Sequence, residues 1–240
     1  MNKKKKLIAV GVAVVVSVLY VFNMAYFSIK PDFFEVAHKA DVPQGAVFAD
    51  TLVMLINQEL SGLGGWIPND IPPSPSWFLD NRPNMQLGVL EAVRYSSRVL
   101  RDNLSRQRTT DTIDDDCDGA FTSFSNDPYK WIIPSAEGKY RKGIQSIESY
   151  GERLKYGNAR FYPRSDNLIQ LLEQYVSLLG GVNTRLLNAT RRGGSGGSGA
   201  ATGSEEKERG RIIAEVPWYR IDDNFYLAQG VGYALFHLFK

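Results

Sequence analysis

The sequence is poor in the residues that most enzymatic and metal chemistry needs. Its 240 residues include one cysteine and two histidines. A single thiol excludes an intramolecular disulfide framework and a multi-cysteine zinc site. His38 and His237 lie far apart in the chain, too few for a polyhistidine metal centre and poorly placed for a Ser-His-Asp triad. A strong basic field is also missing. The formal net charge is +2, and five lysines with no acid among residues 1–30 leave the rest net acidic. That argues against a nucleic-acid partner, which needs a positive surface. Long apolar runs are absent except for one, which excludes a polytopic transporter. The 43% hydrophobic content still supplies material for a folded core.

That one run is Leu7–Ile29, LIAVGVAVVVSVLYVFNMAYFSI, without a charged residue. As a helix it covers about 34 Å, enough for a hydrocarbon core of about 30 Å. Lys3–Lys6 precede it and favour a cytoplasmic N-terminus, while Tyr20, Phe22, Tyr26 and Phe27 collect at the far end, where aromatic rings favour the interface. A cleaved signal peptide fits less well: the apolar run is too long, and a cut after Ala25 would put Asn23 at the −3 position. The body is therefore expected outside the cytoplasm, in the periplasm of a diderm bacterium, with the bilayer contacted through residues 7–29. Leu168–Leu179 and Phe225–Phe239 are too short to span and read as buried helices.

The expected organisation is a basic tip (1–6), a membrane helix (7–29), a connector (30–49), a helical domain (50–190), a flexible Gly/Ser loop (191–210) and a returning segment of the domain (211–240). Asp50 looks like a cap for a helix ended by Gly62, Gly64 and Gly65. Five prolines between residues 68 and 83 then exclude regular helix. From Asn84 to Arg106, the positions Leu90, Val93, Ser97, Leu100 and Leu104 mark one helical face. A short helix follows to about Ser125, and YKWII (129–133) reads as a strand or an extended packing segment. Ser135 opens another helix, and Ser165-Asp166 a third that Gly180-Gly181 would end. The chain stops inside an apolar helical pattern, which suggests a truncated end. The fold class is mainly α: one transmembrane helix plus an α-helical extracytoplasmic domain.

Candidate chemistry is thin. Asp114, Asp116, Asp118 and Gly119 match the opening of a calcium loop, but the bidentate glutamate required at position 12 is replaced by Ser125. The weak candidate is a divalent cation there; no other cofactor is expected. Cys117 sits among those aspartates, which suppress a thiolate. Glu148-Ser149 resembles the Glu-Ser of lytic transglycosylases without their other motifs. The interaction candidates are the loop aromatics Trp66, Trp77 and Phe78, suited to a protein or sugar surface, and the arginines Arg94, Arg98 and Arg101.

Three stretches carry a family resemblance: GGWIPND (64–70), the run LDNRPNMQLGVLEAVRYSSRVLRDNLSRQRTTDTID (79–114) and VPWYRIDDNFYLAQGVGYALFHLF (216–239). Together they resemble the uncharacterised bacterial domain-of-unknown-function family numbered 2333. The resemblance implies a single N-terminal membrane helix and a chain that continues beyond the last helix here. It implies no catalytic residue.

The resulting expectation is a single-pass protein of the bacterial inner membrane. It would act as a non-enzymatic scaffold that recruits a protein partner in the envelope. The alternative is a cell-wall-modifying hydrolase or wall-polymer-binding protein, which would need a cleft with convergent, perturbed acids.

Overall fold

The computed structural model describes residues 3–36, 42–43, 45–62, 64–108, 110–193 and 220–240. His38 and the Gly/Ser stretch from residue 194 onward lie outside the described residues. Seven α-helices and no strand are present among them: α1 Lys3–Phe27, α2 Ala46–Ser61, α3 Asn81–Val99, α4 Asp115–Phe124, α5 Ala136–Lys155, α6 Ser165–Gly193 and α7 Ile221–Phe239. Two 3-10 turns, Ile67–Asn69 and Pro75–Phe78, interrupt the Pro-rich loop, and a π turn, Leu100–Leu104, extends α3.

The apolar stripe expected on α3 is buried throughout, at Leu90, Val93, Ser97, Leu100 and Leu104. This helix is the hub: α2, α4, α6 and α7 all pack on it, and α5 closes over α2 and α4. The local caps explain several boundaries. Ser135 Oγ accepts from Gly138 N at the start of α5, and Asp114 accepts from Asp116 N and Cys117 N at the start of α4. Asp50 does not cap α2. That helix begins four residues earlier, after Gly45, whose φ of 84° supplies a left-handed turn. Gly180 and Gly181 do not end α6, which continues to Gly193. YKWII is neither strand nor packed: Ile133 is 95% exposed.

Glycine does decide the α3–α7 crossing. A Cβ at Gly230 would overlap the Met85 carbonyl, and one at Gly88 would lie 2.9 Å from Val231 N. The two backbones therefore touch where only glycine fits, and Asn84 Nδ2 donates to Asp223 Oδ1 at 2.8 Å near the start of both helices. These contacts make α3 and α7 run in the same direction. The opposite direction holds for α6: Asn167 Nδ2 donates to Asn103 O at 3.1 Å, Tyr175 pairs with Ser96 at 2.8 Å, and Arg185 meets Glu91 at 3.2 Å.

The apolar window of α1 is not covered by the body, and Leu7, Val10, Val14, Val18 and Val21 are all exposed. After α1 the chain runs beside α7 toward its C-terminus. Lys30 Nζ donates to Gln229 Oε1 at 2.9 Å, Tyr233 OH donates to Asp32 O at 2.7 Å, and Phe34 stacks on His237 at 3.8 Å between ring centroids.

Candidate functional site

The Pro-rich loop divides its aromatics. Trp66 is 2% exposed; its ring meets Tyr140 edge-on at 5.0 Å and its Nε1 donates to Pro128 O at 2.8 Å. It is a core pin and not a surface anchor. Trp77 and Phe78 are exposed and pack edge-on against each other at 4.8 Å. The 3-10 turn that presents them is held by Ser76, whose hydroxyl donates to Asp70. Tyr20 of α1 reaches this loop: its OH donates to Pro73 O at 3.1 Å, and its ring meets Phe78 at 6.1 Å. The Tyr129–Ile133 loop lies alongside, because Asn69 Nδ2 donates to Lys130 O at 3.1 Å.

Between these loops and the first turns of α3 and α7 is an open depression of about 590 Å³. Asp70, Trp77, Asp80, Asn84, Tyr129 and Asp223 line it. Burial raises the carboxyl pKa of both Asp70 and Asp223; Glu137 adds to the first, and Asp222 and Asp80 add to the second. Oxygens of Asp80, Asp222 and Asp223 lie within 4.8 Å of one another. These three carboxylates could share a cation, but they also sit at helix N-termini, where the dipole favours negative charge without any ion.

The cation site read from the acidic turn is arranged differently. Arg153 donates to Asp114 at 2.7 Å and to Asp116 at 2.9 Å, so a guanidinium already faces these two carboxylates. Asp118 turns to Arg101 at 3.5 Å. Cys117 is buried, and burial followed by the Asp114 charge pushes its thiol well above the usual range. Glu148 and Ser149 are exposed on α5, and Ser149 donates to Asp116 at 2.8 Å.

The arginines do not form one free basic patch. Arg94 is a strut: Nε donates to Phe124 O at 2.6 Å and Nη2 donates to Asn126 O. Arg101 chelates Asp102, with Nε at 2.7 Å, and lies 4.1 Å over the Phe121 ring. Arg98 is exposed over Tyr95 and Phe121.

A comparison with known protein families matches residues 1–240 to a family described as an uncharacterized protein conserved in bacteria (DUF2333). The chain belongs to this family. No curated protein and no solved structure matches it. The family description of DUF2333 assigns no residue a role, so the chemistry rests on the geometry alone.

Two features of this DUF2333 chain escape a reading of the sequence. One is a buried ion pair: Arg82 Nη2 lies 2.7 Å from Glu59 Oε2, with the side chains 4% and 1% exposed. Burial raises the Glu59 pKa against the opposing pull of Arg82. Gln86 closes the cluster, donating to Gly65 O at 2.7 Å and accepting from Ile67 N at 3.0 Å. The other is α6. Its Tyr175 and Leu178 are buried, but Ile169, Leu172, Val176 and Leu179 form a second apolar stripe that is exposed. Leu168–Leu179, expected as a buried helix, is thus only half buried. The signal was its spacing: 169, 172, 176, 179 and 183 step by 3 and 4 residues.

Proposed function

We propose that this DUF2333 chain is a single-pass protein of the bacterial inner membrane. Its N-terminus is cytoplasmic, its body is periplasmic, and it acts as a non-enzymatic scaffold by pairing with a second copy of itself. The observation that carries the pairing is the exposed seam of α6. In heptad terms Ile169, Val176 and Asn183 take position a, and Leu172 and Leu179 take position d. β-Branched residues at a, leucine at d and one polar residue at a are the pattern of a parallel two-stranded coiled coil. Two copies anchored in one bilayer present α6 in the same direction, so the anchor supports the parallel arrangement that the pattern requires. Lys3–Lys6 before the uncharged run support the orientation.

The experiment is disulfide trapping in native membranes with Val176→Cys in a Cys117→Ala background. A covalent dimer is the expected product. Monomer alone, or a crosslink to a different protein only, overturns self-pairing. Tyr156→Cys, far from α1, tests topology: an impermeant maleimide labels it in intact spheroplasts if the body is periplasmic, and only after lysis if it is not.

A second reading, a wall-modifying hydrolase, is favoured by one observation, the raised acids Asp70 and Asp223 in a shared depression. Purified protein that releases fragments from peptidoglycan, and loses that release on Asp223→Asn, would establish it in place of the scaffold.

A further inference from the structure

The end of the body next to α1 is apolar in a way that its own fold does not use. Ile71, Trp77 and Phe78 from the Pro-rich loop are exposed, and so are Trp131, Ile132 and Ile133 from the neighbouring loop. Ile133 is 95% exposed, and Trp131 and Ile132 exceed half. Contiguous apolar surface of this kind marks a protein or membrane contact.

The position of α1 decides between them. Tyr20 lies seven residues before Phe27, about 10 Å down a helix axis. The segment Lys6–Phe27 is 22 residues, close to the length that crosses a hydrocarbon core. The loop that Tyr20 touches therefore sits well below the outer end of the spanning segment. With α1 in a bilayer, Pro73–Phe78 cannot stand in bulk water above it. The contact at Pro73 and the ring of Phe78 are fixed to α1 at the depth where aromatic side chains collect. The Tyr129–Ile133 loop is tied to the same end through Asn69 and through Trp66, which binds Pro128 O.

We infer that this face is a bilayer-docking surface. The two loops insert Trp77, Phe78, Trp131, Ile132 and Ile133 into the outer interface of the membrane that α1 spans. The domain thus rests on the membrane at two sites besides its anchor. Tryptophan gains there by burying its ring while keeping its N–H near water. The docked orientation also points the N-termini of α3 and α7 toward the headgroups. This inference rests on the membrane reading of α1.

The test uses the full-length protein reconstituted in phosphatidylcholine–phosphatidylglycerol vesicles. Single cysteines in the Cys117→Ala background carry an environment-sensitive NBD label at Ile133, at Val16 in α1, and at Tyr156, which is exposed far from the loops. Spin-labelled lipid is the quencher. The expected result is quenching and a blue-shifted emission at positions 133 and 16, and neither at 156. Quenching at 16 with a water-like signal at 133 overturns the docking surface and leaves the anchor standing. A water-like signal at 16 removes the anchor and the inference with it. Replacing Trp131, Ile132 and Ile133 together by serine gives a second measure. The domain, labelled at position 156, should then tumble faster on the vesicle, with lower anisotropy than the parent. Unchanged anisotropy counts against docking.

Discussion

Alanine in place of glycine has opposite consequences at two helical positions in this molecule. At Gly230 the new methyl group meets the Met85 carbonyl and comes within 3.1 Å of Gly88 Cα. The obstacles are backbone, which cannot rotate away as a side chain can. The α3–α7 seam must open, at an overpacking cost in the upper part of the usual range, about 2–3 kcal/mol. Helix propensity returns at most about 1 kcal/mol. The net is a loss of about 1–2 kcal/mol, or a fall in Tm of about 2–8 °C for a chain of this size. At Gly181 nothing lies within 4 Å of the added methyl group, and the residue is exposed on the side of α6 away from the apolar seam. There the propensity gain stands alone, about 0.5–1 kcal/mol, and Tm should rise by about 1–4 °C. Detergent-solubilised protein followed by circular dichroism at 222 nm measures both variants against the parent. A Gly230→Ala variant as stable as the parent would refute the close crossing. A Gly181→Ala loss larger than the Gly230→Ala loss would invert the argument altogether.

Other perturbations test separate features. Arg82→Met leaves the Glu59 carboxylate buried without its partner, so it should cost about 3–5 kcal/mol, whereas adding Glu59→Gln should recover much of that loss in a double-mutant cycle read by thermal melts; a double-variant loss equal to the sum of the two single losses would show that the two groups do not interact. His237 is packed by Phe33, Phe34, Tyr233 and Phe236, and burial, then Lys240, lowers its pKa below the ordinary 6.5. A lowered folded pKa contributes stability above the unfolded value that is lost as pH falls through the folded one. Tm should therefore fall between pH 7 and pH 5, less steeply in His237→Phe, and an identical slope in both proteins would exclude this group. Asn183→Val should tighten self-association but loosen the choice of dimer over higher states, as read by sedimentation equilibrium in detergent. No change in either quantity would place Asn183 outside the seam.

Features with local causes were legible in the sequence. The cap at Ser135 satisfies an amide three residues on, so the residue type alone carried the signal. The α3 stripe was equally clear, since one periodicity served one buried face. Tertiary effects were not legible. Trp66 and Trp77 share one loop and differ in fate because Tyr140 and Pro128 arrive from elsewhere in the chain to enclose the first. Gly180-Gly181 read as a stop because local propensity disfavours them, but the packing of Tyr175, Leu178 and Val182 carries α6 through. Glu59 and Arg82 sit on different helices, and no spacing rule connects them. The sequence suggests a cap at Asp222 or Asp223 for the terminal helix, but α7 starts at Ile221, after Arg220, and both aspartates lie inside its first turn.

The connector between α1 and the body has a mechanical meaning. Asp32, Phe33, Phe34 and Glu35 lie alongside α7, held by Tyr233, Phe236, His237 and Lys240. A pull along the connector's own direction loads these contacts together in shear and does not peel them one at a time. α7 in turn meets α3 at the glycine crossing, where the two backbones touch. A load on α1 thereby reaches the central helix of the domain by way of α7.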